Sequence, residues 1–589
     1  MKKNTLRLPR YLLLFSIGII FFSTLLPKLY DQANARFMFP EAQNILSQSS
    51  NSKTLNADSS LGINLSGFAP WSSQMPLLDY FKSSRAWLTQ CAKTDPGCQG
   101  EWDTKEEDLL DLDENGWVKS LPTPEEAPIY TRVSTTFLRG MANRFSGGKY
   151  LVLYEGTGKI KYGLSAKIDE NASTPGRDVI DVDSSKSSGI LVTIIETDPN
   201  QTGDYIRNIR VIHAKDESLY RSGEIFNPDF IEKLKAYRAI RFMDWMGTNH
   251  SQQKEWKDRP TPNVTSYSLK GASVEVMVAL TNQLQAEPWF NMPHQATDDY
   301  ITNFARLVKK SLDPNLNIYV EYSNEVWNWK FKQTHYALEE GQKRWGQDKG
   351  DAFRQWYGMR SAQMCDLWKN AFGDQKDRVN CVIGTQVGWK GAEKNILDCP
   401  LWVAEGNKPC YQHGIDAYAI AGYFGASLGH PDNVSQVESW LNEKDGGFQN
   451  AFKHLKTGTL LEKGRKDSLP EVKDMFEYHA QVAQEKGLQF MVYEGGQHIV
   501  GRKKVVNNER LTNFFIELNR QPQMYELYTQ LLNDWKQTGG TLFMHFVDVG
   551  KPTKWGSWGA LEYLDQSESP KYNALMDFTT QNSCWWEGC

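Results

Sequence analysis

The stretch Ile318-Tyr319-Val320-Glu321-Tyr322-Ser323-Asn324-Glu325-Val326-Trp327 reads as a strand that ends in a carboxylate framed by aromatic rings. An amphipathic helical pattern over 298–311 precedes it. Phe490-Met491-Val492-Tyr493-Glu494-Gly495-Gly496 repeats the pattern further on: an apolar run, an aromatic residue, a glutamate, then glycines. Working outward, the other strand candidates are Ala239–Asp244, Val274–Val278, Val379–Thr385, Ala417–Tyr423 and Thr541–Val547. Helical patterns at 352–372 and 523–537 fall between them. Leu61-Gly62-Ile63-Asn64-Leu65, far upstream, brings the strand count to eight. Eight strands alternating with helices is the count of a (β/α)8 barrel, so the expected class is α/β.

Between that first strand and Ala239 the periodicity changes. Runs at 129–138, 150–154, 160–168, 189–195 and 205–213 are rich in β-branched and aromatic residues and are separated by Gly, Asp, Asn and Ser. They read as an inserted all-β, sandwich-like module over about 101–225. The expected organisation is then an address segment over 1–35, a linker over 36–60, and the first barrel strand with its loop over 61–100. After the module come the remainder of the barrel over 226–575 and a tail over 576–589 with Cys584 and Cys589. The module leaves the barrel after Leu65. The loop after strand one lies on the catalytic face of such barrels, so the module is expected to stand beside the mouth.

The chain has 589 residues, 40% hydrophobic and 23% charged, which suits a large packed domain plus another. Its net charge of −5 gives no sign of a nucleic-acid partner. Lys2, Lys3, Arg7 and Arg10 precede an apolar run over 11–26, and Ala33-Asn34-Ala35 follows as a cleavage candidate. The run is shorter than the roughly 20 residues of a spanning helix. A cleaved signal peptide and an uncleaved membrane anchor at 11–26 both remain open, and either places the rest outside the cytoplasm. Residues 43–60 are rich in Ser, Asn and Gln and read as a flexible spacer. Eight cysteines fit export. Cys91/Cys98, Cys399/Cys410 and Cys584/Cys589 are close pairs, with Cys365 and Cys381 as a fourth, although free buried thiols are an alternative. There is no Cys-x-x-Cys pair, His-Glu-x-x-His helix, Walker loop or dinucleotide fingerprint, so no metal or cofactor is expected.

In (β/α)8 barrels the reacting groups stand at the C-terminal ends of the strands. Glu325 and Glu494 occupy two such ends, the fourth and the seventh. A pair of carboxylates at one mouth can protonate a departing glycosidic oxygen and attack the anomeric carbon, or activate water. The strand-end frame Tyr322-Ser323-Asn324-Glu325-Val326-Trp327-Asn328, with Glu494 three strands later, resembles clan A of the glycoside hydrolases. These are retaining barrels that include cellulases, mannanases and xylosidases. The resemblance implies Glu325 as acid/base, Asn324 as its partner, Glu494 as nucleophile, Arg241 as a brace and Tyr423 as a donor to the nucleophile. It also implies Trp555 or Trp558 as a sugar platform and a polysaccharide or oligosaccharide as substrate. Many clan members carry a His two residues before the strand-six Tyr; here that place is Ala421, and His294 is the candidate to fill the gap. Further stacking candidates are Trp289, Trp327, Trp329 and Trp389. Glu321 is expected to be an ion-pair partner, with Arg241 as the candidate, and Asp244 and Asp548 to bind hydroxyls or cap helices.

Two other readings stand beside this one. Ala421 is compatible with a non-catalytic carbohydrate-binding protein on a decayed barrel. Gly425-Ala426-Ser427-Leu428-Gly429 matches a nucleophile elbow, which makes an esterase using Ser427, with His498 or His545, a third reading. Pro431 disfavours the helix that must follow such a serine.

Overall fold

A computed structural model describes residues 56, 58–122, 128–461, 466–587 and 589. The address segment, the apolar run and most of the spacer lie outside the described residues. The strands in chain order are β1 (Leu61–Asn64), β2 (Leu88–Gln90), β3 (Arg132–Phe137), β4 (Gly148–Glu155), β5 (Gly158–Leu164), β6 (Ala166–Ile168), β7 (Arg177–Val182) and β8 (Ile190–Thr197). They continue with β9 (Arg207–His213), β10 (Ala239–Arg241), β11 (Glu287–Met292), β12 (Ile318–Tyr322), β13 (Val379–Gly384), β14 (Ala417–Phe424), β15 (Gln489–Gln497) and β16 (Phe543–His545). Strand β1 and β10 to β16 close into an eight-stranded parallel barrel. The other strands form two four-stranded antiparallel sheets, β2-β3-β8-β5 and β6-β7-β4-β9. This is a (β/α)8 barrel with an additional β module.

One strand assignment is corrected. Val274–Val278 is not a strand but the start of a helix, Val274–Leu284. The third barrel strand is β11. Nearly every residue of that helix is buried, so its polar face is missing and the helical period with it. In β11, Glu287 and Pro288 disguise a fully buried strand. Parallel register then lines up the strand ends. Asn64 pairs with Arg241, Arg241 with Trp289, and Asn291 with Glu321.

The helices outside the barrel carry their own start signals. Asp298–Ser311 is capped by Thr297, whose side chain accepts from the Tyr300 amide, with Asp298 and Asp299 in the first turn. Ser468 and Glu471 form a reciprocal capping box ahead of Leu469–Lys486, with Pro in the first turn. Helix Pro570–Gln581 crosses the expected tail boundary at 575/576. At the other end, Asn56, Ser59 and Ser60 of the expected spacer are buried, and the Asn56 amide donates to the Tyr237 and Leu284 carbonyls. The spacer's last residues are therefore anchored against the barrel.

The module begins earlier than residue 101, because β2 pairs antiparallel with β3. Alternate residues of β4 serve two faces. Tyr150 and Val152 enter the main core, while Leu151 and Leu153 pack with Val179, Ile212 and Tyr220. The module and the barrel share one continuous core. Lys82 Nζ donates to the Pro262 and Val264 carbonyls at 2.9 and 2.5 Å, and the Arg139 amide to the Pro70 carbonyl at 2.7 Å. Disulfides join Cys91–Cys98, Cys365–Cys381, Cys399–Cys410 and Cys584–Cys589, with Cα separations of 6.1, 5.7, 5.7 and 6.0 Å. Four disulfides suit an oxidising, extracytoplasmic compartment. Among the described residues no helix is long and apolar enough to cross a membrane.

Candidate active site

The site is built on a buried arginine. Arg241, at the end of β10, is wholly inaccessible to solvent. Its guanidinium donates to Glu321 Oε2 from Nε at 3.2 Å and from Nη2 at 2.8 Å. It also donates to Asn64 Oδ1 and to Asn324 Oδ1, each at 3.0 Å. Glu321 Oε2 takes two more donors, Trp289 Nε1 at 3.0 Å and Asn291 Nδ2 at 2.8 Å. A buried guanidinium is tolerable because every side of it meets an acceptor. Glu321 is thus the ion-pair partner of Arg241. Trp289 lies beneath the site with its N–H committed to Glu321, not open as a stacking surface.

The loop after β12 is bent to present Glu325. Ser323 and Glu325 have φ of 61° and 41°, a left-handed conformation that costs non-glycine residues of order 1–3 kcal/mol. The surroundings hold it. Asn291 Nδ2 donates to the Ser323 carbonyl at 2.8 Å and Gln333 Nε2 to the Asn324 carbonyl at 2.8 Å. The Glu325 carboxylate accepts from Asn328 Nδ2 at 2.8 Å and from the Tyr493 hydroxyl at 2.9 Å.

Glu494, on β15, faces Glu325 across the mouth. It is buried, and Arg241 Nη1 stands 3.5 Å from its Oε2, which has no hydrogen-bond partner among the described residues. The Tyr423 phenol interacts with the same carboxylate. Burial and then the nearby Glu325 charge push the Glu494 carboxyl well above the ordinary carboxylate range, with Arg241 opposing. Burial and the like charge together favour the protonated form of Glu494. Burial and the same carboxylates push the Tyr423 and Tyr493 phenols far up, so both remain neutral donors. Asp244, at the rim, is raised to about 6 by burial, and its charge also reaches Glu494.

The aromatic frame differs from expectation in its members. Trp558 packs edge-on against Tyr423, His498 and Phe546 at 5.8, 5.0 and 5.8 Å. Trp555 is 64% exposed, and only its carbonyl meets this group, accepting from Trp558 Nε1 at 3.0 Å. Trp327 is buried edge-on against Tyr357 and Tyr493, a support and not an open platform. Trp329 and Trp389 are exposed on the surface. His294 does not fill the place left by Ala421. It is buried against Tyr336, and burial lowers it to about 4. The histidine beside Tyr423 is His498, at 5.5 Å. Sequence spacing missed this role because His498 follows β15 and reaches Tyr423 only through the strand pairing of β14 with β15. Asn64 was also missed; its one visible signal is a polar residue ending an apolar strand. Asp548 accepts from the Ser66 amide and Gln74, fixing the loop after β1.

Ser427 does not form an esterase site. It is buried, and its hydroxyl meets His454 Nε2 at 3.1 Å, not His498 or His545. Asp467 accepts from the Ala426 and Ser427 amides, and among the described residues His454 Nδ1 has no hydrogen-bond partner to orient the ring.

No protein-family profile and no curated protein matches the sequence. Solved structures do. The exo-beta-1,4-mannosidase Op5Man5 of Opitutaceae bacterium strain TAV5 is 9% identical over 63% of this chain and 57% of its own, with a TM-score of 0.34. The match therefore spans little more than half of that enzyme. A GH5-4 broad specificity endoglucanase from Clostridium acetobutylicum is 11% identical over 59% of this chain and 89% of its own, with a TM-score of 0.32. A psychrophilic glycoside hydrolase family 10 endo-beta-1,4-xylanase is 10% identical over 60% and 92%, with a TM-score of 0.31. The chain's class is set by its own topology: a closed parallel barrel with two carboxylates at its mouth.

Proposed function

We propose that the chain is a retaining glycoside hydrolase acting on a polysaccharide outside the cytoplasm. The observation that carries this reading is the pairing of Glu325 with Glu494, each contacted by a neutral tyrosine and one backed by a buried arginine. In barrel order β12 and β15 are the fourth and seventh strands, the positions at which clan A hydrolases carry acid/base and nucleophile. Glu494 attacks the anomeric carbon while the glycosidic oxygen leaves with the proton of Glu325, giving a glycosyl ester. Arg241 and Tyr423 favour the ionised Glu494 that this step needs. Glu325, now a carboxylate, takes a proton from water. The water oxygen bonds the anomeric carbon and Glu494 departs, restoring the pair.

The four disulfides support an extracytoplasmic site of action, and the positively flanked run at 11–26 supplies secretion or a membrane anchor. Hydrolysis of a panel of aryl glycosides tests the reading. It is expected for the unaltered chain and for Ser427→Ala, and lost in Glu494→Gln. Turnover that survives in Glu494→Gln would exclude the assigned nucleophile.

A further inference from the structure

A second feature of the molecule is not used by the glutamate pair. A groove of about 620 Å³ opens between the barrel and the β module. That volume is within the roughly 300–1,000 Å³ of ligand sites. Its lining includes Trp71 from the loop after β1, Trp102 from the module, and Arg85 and Arg139. Trp71 and Trp102 are 62% and 50% exposed, whereas Trp87 and Trp117 of the same region are buried.

Both rings stand on fixed loops. The Cys91–Cys98 disulfide closes the turn ahead of Trp102. Gln90 Nε2 donates to the Trp102 carbonyl at 2.7 Å, and the Thr104 amide to the Thr89 carbonyl at 2.9 Å. The Trp71 loop is pinned by the Arg139 amide on the Pro70 carbonyl. Rigid aromatic faces bind flat apolar surfaces with little further ordering cost.

The groove's charge is one-sided. Among the described residues Arg85 and Arg139 are the charged residues of its lining, and neither forms an ion pair. This is a cationic surface on a chain of net charge −5. Paired guanidinium forks match carboxylates, which they hold bidentately. The loop after β1 lines the groove with one residue and approaches Asp244 with its neighbour. A Cβ on Gly67 would lie 3.5 Å from Asp244 Cβ, and the next residue, Phe68, lines the groove.

We propose that this groove is a subsite for an acidic polysaccharide, with sugar rings on Trp71 and Trp102 and a uronic-acid carboxylate held by Arg85 and Arg139. This rests on the glycan-cleaving reading above and names the substrate class: a chain that carries uronic acids. The subsite needs both bodies, so the module alone supplies only half of it.

The test uses the full chain carrying Glu494→Gln, which holds substrate without turning it over. It is titrated calorimetrically with oligosaccharides of glucuronic, galacturonic and mannuronic acid, and with the same oligosaccharides after carboxyl reduction. At least one acidic ligand is expected to bind ten-fold or more tighter than its reduced form. Trp71→Ala and Trp102→Ala should each weaken it about ten-fold, and Trp102→Phe, which keeps a ring, should weaken it less. Arg85→Gln with Arg139→Gln should make acidic and reduced ligands equal. Equal binding of every acidic ligand and its reduced form would overturn the proposal, as would a preference that survives the double arginine substitution. A sulfated chain without uronic acid that binds as tightly would overturn the carboxylate assignment. Aryl glycoside hydrolysis by the unaltered chain reads the glutamate pair separately. A failed subsite leaves that hydrolysis intact, and a failed pair leaves uronic-acid binding intact.

Discussion

Glu494 and Asp548 show how single buried carboxyls set the pH behaviour of this chain. Active enzyme in the proposed mechanism carries one proton on the Glu325/Glu494 pair. Because burial and the nearby Glu325 charge raise the Glu494 carboxyl, loss of the pair's last proton, and with it the alkaline limb of kcat/KM, should lie well above pH 4.5, the ordinary carboxyl value. A pH profile whose activity disappears between pH 4 and 5 would contradict this. Glu325→Ala should reduce hydrolysis of a poor leaving group by about 10²–10⁴-fold and that of an activated aryl leaving group by much less, since only the former needs the proton. Asp548 is raised from 3.8 to about 7 by burial. The folded chain therefore binds its proton more tightly than the unfolded chain does. That stability is fully present below pH 4 and is lost as pH rises through 7, by an upper bound on the order of 4 kcal/mol. Asp548→Asn cannot ionise, so its stability relative to the unaltered chain should improve between pH 5 and pH 8. Urea midpoints at the two pH values read this directly, and a constant difference would refute it.

Among the elements, those with a polar and an apolar face were legible. The helices Asp298–Ser311 and Gln523–Gln537 follow from their own periodicity. Helix Val274–Leu284 and strand β11 were not, because burial on all sides erases the period that separates helix from strand. The positions of Glu325, just past β12, and Glu494, on β15, were legible because each follows an apolar run in an aromatic frame. His498 and Asn64 were not, because their partners come from pairing between strands far apart in sequence. Trp327 was misjudged because composition does not tell an open ring from a covered one. One covalent tie is testable here. Cys365 and Cys381 are buried and join helix Ala352–Phe372 to β13. Replacing both with Ala should cost about 3 kcal/mol, the closure entropy of a loop of this length. A thermal midpoint within 1 °C of the unaltered chain would speak against it.

On the scale of the whole molecule, barrel and module behave as one folding unit. Their apolar residues form one core, and Lys82 reaches from the module side to two carbonyls of the barrel side. Calorimetry should therefore show a single cooperative transition, and deletion of 88–213 should yield insoluble barrel. Two separated transitions, or a soluble and folded deletion variant, would mean that the module is an independent appendage. The same continuity places the exposed Trp102 of the module and Trp71 of the barrel in one groove.

The central claim is that Glu325 and Glu494 act as a retaining pair. Proton NMR during hydrolysis of an aryl β-glycoside reads the anomeric configuration of the first-formed sugar before mutarotation. The account predicts the β-anomer, retained through two displacements at one carbon. An α-anomer appearing first would contradict it, since a single displacement by water leaves no role for Glu494 as the nucleophile.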